Sequence, residues 1–195
     1  MQLILIFIII ISIIIFFFGY LLEDQIELDF NYDKLYFKNK VVDIETIEDY
    51  INFKEDFEKH LIFEDKKEII WYDDSKKEKT DIVVYFLHGF RATKREGVGV
   101  PQTIAKNVKG NLLLGRQPGV GVYNREDSFD NITFYNYLRN LYEDLILLSI
   151  LGNKIILCGS STGCTYNIIA TTIFKQFNIY KNIFFFSKCR ITLYI

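Results

Sequence analysis

The chain has 195 residues, of which 50% are hydrophobic and 25% charged, with a formal net charge of −2. This composition is not that of a disordered protein, and the length is sufficient for one domain with a hydrophobic core. The charge is uneven: residues 23–80 carry a balance of −8 and residues 81–195 a balance of +6. Because the second half has no dense Lys/Arg stripe, the sequence argues against nucleic-acid binding.

Cysteine and histidine are too sparse for a disulfide framework or a metal centre. The three cysteines are Cys158, Cys164 and Cys189, and the first two lie in apolar segments where buried packing is expected. Neither of the two histidines has a cysteine partner at zinc-ligand spacing. Glycine-rich nucleotide-binding motifs do not occur either. The sequence therefore predicts no metal and no cofactor.

The N-terminus is predicted to be a membrane anchor, residues 1–22. Residues 3–22 read "LILIFIIIISIIIFFFGYLL", and 17 of these 20 residues are Leu, Ile or Phe. About 20 helical residues span the ~30 Å hydrocarbon core of a bilayer. A cleaved signal peptide is the alternative, but no Lys or Arg precedes the run and no small-residue cleavage site follows it. We expect a single-pass membrane protein that contacts the lipid bilayer through residues 3–22, in an orientation that the flanking charges do not indicate.

Residues 23–66 are polar and charged, and form a lead-in with a predicted helix near residues 44–59. From residue 67 to residue 187, predicted strands alternate with predicted helices. The strands are "EIIWYD", "DIVVYFLHGF", "NLLLGR", "KIILCGS" and "KNIFFFS", and the helices are "VPQTIAKNVKG", "TFYNYLRNLYEDLILLSILG" and "TGCTYNIIATTIFKQF". This alternation predicts an α/β fold with a mostly parallel sheet and helices on both faces. Residues 188–195 are interpreted as an atypical tail.

The junction between the strand "KIILCGS" and the helix "TGCTYNIIATTIFKQF" has the pattern of a nucleophile turn. Gly159-Ser160-Ser161-Thr162-Gly163 matches G-x-S-x-G, with an apolar strand before it and an apolar helix after it. In this motif Gly159 and Gly163 allow the backbones to pass closely, which exposes the central serine above the sheet edge. Ser161 is therefore the candidate nucleophile. A tight strand–helix connection without chemistry is the alternative.

A second motif, His88-Gly89-Phe90, follows the strand "DIVVYFL". With both motifs, residues 45–187 resemble the α/β-hydrolase family, in particular bacterial members of esterase or lipase type. The resemblance implies an oxyanion hole made by the backbone N–H groups of Phe90 and Thr162, with His88 and Gly89 shaping the loop. The chain departs from the family at residues 119–121, where Gly-Val-Gly replaces the usual Gly-His-Gly.

The family order also implies an acid and then a histidine after the nucleophile. The 34 residues after Ser161 contain no Asp, Glu or His. We therefore expect a partial hydrolase-type sheet, truncated at its C-terminal side, with "KNIFFFS" as an exposed apolar edge.

Three functions remain open at this stage. The first is a membrane-anchored serine hydrolase that cleaves a small ester or lipid substrate through an acyl-serine, weakly active or inactive because base and acid are missing. The second is a non-catalytic, membrane-tethered binding protein that retains the half-fold. The third is a hydrolase whose acid and histidine come from a partner chain. The sequence indicates neither the substrate nor the oligomeric state.

Overall fold

The computed structural model describes residues 30, 32–57, 60–123, 129–130, 132–186 and 190–194. The anchor expected at residues 3–22 lies outside this part of the chain, as does Cys189. None of the helices in the described part has the length and apolarity needed to span a bilayer. The residues from Tyr32 onward form one compact unit.

The helices and strands follow the predicted order, with additions at both ends. A short hairpin comes first and an extra strand comes last. In chain order the elements are β1 (Tyr36–Phe37), β2 (Lys40–Val41), α1 (Ile47–Asp56), β3 (Glu68–Ile70), β4 (Thr80–Leu87), α2 (Val100–Asn107), β5 (Asn111–Leu114), α3 (Phe134–Leu151), β6 (Gly152–Ser160), α4 (Thr162–Ile173), β7 (Ile179–Phe186) and β8 (Arg190–Tyr194).

The main sheet has six strands in the order β3-β5-β4-β6-β7-β8. Strands β5, β4, β6 and β7 are parallel, whereas β3 and β8 are antiparallel at the two edges. The prediction of an α/β fold with a mostly parallel sheet is confirmed.

Alternate residues of the central strands face different helices, because successive strand side chains point to opposite faces. On one face, Val84 and Phe86 of β4 join a buried cluster with Ala105 of α2. On the other, the Tyr85 hydroxyl donates to Asp144 of α3. Both faces of the sheet are thus covered, which explains why β4 reads as a continuous apolar run.

Two expectations from the sequence differ from the structure. The lead-in helix begins at Ile47 rather than near residue 44, because the Asp43 carboxylate accepts hydrogen bonds from the backbone N–H groups of Glu45 and Thr46 in a turn. The predicted exposed edge at "KNIFFFS" is wrong. Strand β8 pairs with this segment antiparallel, from Asn182↔Tyr194 to Phe186↔Arg190, and the sequence interpretation had treated residues 188–195 only as a tail.

Candidate active site

Ser161 occupies a strained turn between β6 and α4. Its backbone has φ 49° and ψ −115°, a conformation that a residue with a Cβ rarely adopts. The side chain is exposed. The turn thus holds the serine hydroxyl above the carboxyl edge of the sheet, as the G-x-S-x-G pattern predicts.

The two glycines of the motif sit where backbones touch. A Cβ at residue 159 would lie 2.7 Å from the Cys164 backbone nitrogen. A Cβ at residue 163 would lie 2.1 Å from the Leu87 carbonyl oxygen. Any side chain at Gly163 would therefore push the first turn of α4 away from the end of β4.

The loop that follows β4 lies against Ser161. A Cβ at residue 89 would be 3.2 Å from the Ser161 Cβ and 3.3 Å from Glu96 Oε2. The absence of a side chain at Gly89 allows the His88–Phe90 backbone to approach the serine closely. The structure therefore brings together the two motifs that the sequence singled out.

Hydrogen bonds hold both sides of the peptide group between residues 88 and 89. The His88 carbonyl accepts from Gln117 Nε2 at 2.5 Å. The Gly89 N–H donates to Glu96 Oε2 at 2.7 Å. The Gln117 amide also lies 3.4 Å from Thr162 Oγ1, so that it links this loop to the start of α4.

The next peptide group, between residues 89 and 90, is held on its carbonyl side. The Gly89 carbonyl accepts from His88 Nδ1 at 2.8 Å and from the Ala92 N–H at 3.1 Å. Because a peptide group is planar, these bonds also fix the direction of the Phe90 N–H. Among the described residues, no group accepts a hydrogen bond from the backbone N–H of Phe90 or of Thr162. Within the described part of the chain, both are therefore available to an anionic oxygen.

The ring of His88 is fully buried and both of its nitrogens are engaged. Nε2 accepts from the Gln117 backbone N–H at 3.2 Å, which assigns the proton to Nδ1 and makes Nδ1 the donor to Gly89. Burial lowers the pKa of His88 below its ordinary value, with the Gly89 carbonyl opposing that shift. In this tautomer neither nitrogen is left to accept the Ser161 proton.

The other residues considered for chemistry take packing or surface positions. Cys158 and Cys164 are buried free thiols, and Cys164 Sγ donates to the Gly159 carbonyl. Burial raises the pKa of Cys158 to about 12. His60 is exposed. Over the described ranges, no cluster of three or more His, Cys, Asp or Glu could hold a metal ion.

Sequence reasoning did not assign a role to Glu96 or Gln117, although both contact the His88–Phe90 loop. Glu96 stands seven residues after Gly89, within the residues 45–187 that resemble the family, and its local sequence gives no other indication of this contact. Gln117 follows β5, and nothing in its local sequence indicates that its amide contacts a loop 29 residues earlier.

Comparisons with known proteins agree with this geometry at the level of the fold. No protein-family model matches the chain, and no curated protein matches it. Among solved structures 22 chains match. One comes from work on LipS and LipT, two metagenome-derived lipolytic enzymes. It has 13% sequence identity and a TM-score of 0.53 over 64% of this chain and 46% of that chain.

This chain has an α/β-hydrolase-like fold. It spans less than half the length of that lipolytic protein, and at this low identity the likeness concerns the fold alone. The hydrolase-like fold places the turn at Ser161 and the loop at His88 on one edge of the sheet, at the carboxyl ends of β6 and β4. In open α/β sheets this edge is where ligands bind.

Proposed function

We propose that this chain carries the nucleophile and oxyanion hole of a serine hydrolase acting on carboxylic esters, with Ser161 as the nucleophile. One observation carries the proposal. The strained Ser161 precedes Thr162 and lies against the loop that carries Phe90, and the backbone N–H groups of Phe90 and Thr162 have no acceptor among the described residues. A tight structural connection would not require a strained serine next to two open donors.

In the proposed reaction, Ser161 Oγ attacks the ester carbonyl carbon and its proton passes to a base. The carbonyl oxygen becomes an oxyanion, which the N–H groups of Phe90 and Thr162 would bind; one such donor typically contributes about 3–4 kcal/mol. The C–O bond to the alcohol then breaks and the alcohol leaves with a proton. Water hydrolyses the acyl-serine and regenerates the hydroxyl.

The base of this reaction is not found among the residues after Ser161, which include no Asp, Glu or His. Enzymes of this type that lack triad members keep about 10³–10⁴-fold acceleration over water, from binding and the oxyanion hole. We therefore expect this chain by itself to react slowly with esters. A partner chain that supplies an acid and a histidine would raise the rate.

Anchoring in a membrane through residues 3–22 is part of the proposal, and its support is the uncharged apolar sequence of that segment. An anchored hydrolase would meet small esters or lipids at the bilayer surface. The alternative is a membrane-tethered binding protein without catalysis. The lack of Asp, Glu and His in residues 162–195 favours that alternative, whereas the two N–H groups without an acceptor among the described residues favour an esterase.

Labelling with a fluorophosphonate probe tests the proposal, because the proposed N–H donors stabilise the negative charge that develops on the probe when a serine attacks it. Without a base the labelling should be slow, but faster than that of an ordinary serine. The full chain in detergent micelles should be labelled at Ser161, located by mass spectrometry of the peptides. Ser161→Ala should abolish the label, while Ser149→Ala, which removes a serine hydroxyl from α3, should retain it. An unlabelled full chain would favour the binding protein.

A further inference from the structure

The 3₁₀ turn at Lys94–Gly97 packs beside the His88–Phe90 loop and presents one carboxylate to it. Glu96 Oε2 accepts from the Gly89 N–H at 2.7 Å. A Cβ placed on Gly89 would lie 3.3 Å from this oxygen and 3.2 Å from the Ser161 Cβ. Glu96 and Ser161 thus flank the same glycine.

This turn is itself fixed by contacts on several sides. Lys94 pairs with Glu68 at 2.5 Å, and Arg95 pairs with the buried Asp65 at 3.0 Å. Gly97 lies against the ring of Phe86, where a Cβ would come within 2.4 Å of Cζ. The Glu96 backbone N–H donates to the Thr93 carbonyl at 3.0 Å. Glu96 is therefore presented by a rigid support rather than by a free surface loop.

A carboxylate at this place has two opposite effects on the proposed chemistry. Its charge disfavours a developing oxyanion nearby, because like charges repel. Its hydrogen bond holds the peptide group between His88 and Gly89, on one side of the glycine whose carbonyl bonds hold the peptide group that carries the Phe90 N–H. A group that acted only through its charge would slow the reaction, whereas a group that holds the loop would speed it.

We infer that Glu96 is a positioning residue of the oxyanion hole, acting through its hydrogen bond to the Gly89 N–H. The inference rests on the proposed function, in which Phe90 donates to the oxyanion. Glu96 does not contact the reacting atoms in this scheme. It keeps the His88–Phe90 loop in the conformation that directs the Phe90 N–H toward the Ser161 side chain.

Two substitutions separate the hydrogen bond from the charge. Glu96→Ala removes both, and Glu96→Gln keeps an oxygen acceptor for the Gly89 N–H without the charge. We expect the fluorophosphonate rate constant of the full chain to fall about ten- to hundredfold in Glu96→Ala, since a displaced donor loses much of its effect. Glu96→Gln should react at least as fast as the unsubstituted chain. Glu64→Ala, which changes an exposed glutamate on another 3₁₀ turn, should leave the rate unchanged.

Two outcomes would overturn the inference: unchanged or faster labelling of Glu96→Ala, or a Glu96→Gln variant as slow as Glu96→Ala. Thermal unfolding of each variant shows whether a slow rate reflects loss of the fold. Hydrogen exchange of the peptide that contains residues 88–92 gives a readout independent of reactivity. Exchange should rise in Glu96→Ala and not in Glu96→Gln. If Ser161 of the unsubstituted chain is unlabelled, the proposed function fails, and the exchange result alone decides whether Glu96 orders the loop.

Discussion

Leu87 of β4 and Gly159 of β6 are register partners in neighbouring parallel strands. The chain leaves β4 at His88 and reaches Ser161 two residues after Gly159, so the two turns start side by side at one edge of the sheet. Parallel pairing in this register accounts for contacts between residues more than 70 positions apart in the sequence. The same closeness requires glycine at residue 163.

The first prediction concerns the strain stored at Ser161. The conformation with φ 49° and ψ −115° mirrors the extended region, which glycine enters freely and other residues do not. Ser161→Gly should therefore be more stable than Ser161→Ala by about 1 kcal/mol. Glycine removes a backbone strain of about 1–3 kcal/mol, but it also raises the entropy of the unfolded chain, which offsets part of that gain. Urea unfolding of the full chain in micelles measures the difference.

Both substitutions remove the hydroxyl, so the difference between them reports the effect of the backbone conformation on the free energy of unfolding. The same pair of substitutions at Ser149, in the last turn of α3, is the control, and there alanine should be the more stable variant because glycine is a poor helix residue. If alanine were the more stable variant at residue 161 as well, the turn would store no strain.

The strands and helices of the sheet could be predicted from the sequence, because their signals are local: apolar runs bounded by glycine and helical periodicity. The family resemblance that the two motifs carry also implied that Phe90 and Thr162 contribute to one oxyanion hole. The contacts of Glu96 and Gln117 could not be predicted in this way. A hydrogen bond from one side chain to a distant peptide group leaves no periodic pattern in the sequence, because the packing of the whole fold determines which groups meet. Strand β8 was missed because a five-residue segment carries little signal without its partner.

A second prediction concerns stability at acidic pH. Burial lowers the pKa of His88 in the folded chain below 6.5. At a pH between this folded pKa and the pKa in the unfolded chain, His88 therefore binds a proton in the unfolded chain but not in the folded chain. The free energy of unfolding therefore does not depend on His88 above about pH 6.5. Below that pH it decreases as the pH falls, by at most about 1.4 kcal/mol per pH unit. Urea unfolding at pH 7.5 and 5.5 should show this loss.

His88→Gln is the comparison for this effect, because its amide has a donor and an acceptor but does not titrate. Carboxylates also weaken the fold in acid, but they do so in both proteins. The decrease in unfolding free energy between pH 7.5 and 5.5 should therefore be smaller in His88→Gln. The same decrease in both proteins would show that His88 is not held neutral.

The third prediction concerns a buried charged group that ties α3 to the sheet. Asp144 is fully buried, and its carboxylate pairs with Lys67 Nζ at 2.5 Å and accepts from the Tyr85 hydroxyl at 2.7 Å. Lys67→Met would leave the carboxylate buried without its cation. We expect the unfolding free energy to fall by about 3–5 kcal/mol at pH 7, as is usual when one partner of a buried pair is removed.

The pH dependence of this variant follows from the same burial, which raises the pKa of Asp144 even in the presence of Lys67. Without Lys67 the pKa should rise further. A folded state that binds a proton more tightly than the unfolded state gains stability as the pH falls, so the deficit of Lys67→Met should shrink between pH 7 and pH 5. Adding Asp144→Asn, which removes the charge and keeps an acceptor for Tyr85, should recover most of the loss at pH 7. A double variant as unstable as Lys67→Met alone would show that the packing of the lysine stem, rather than the unpaired charge, causes the loss.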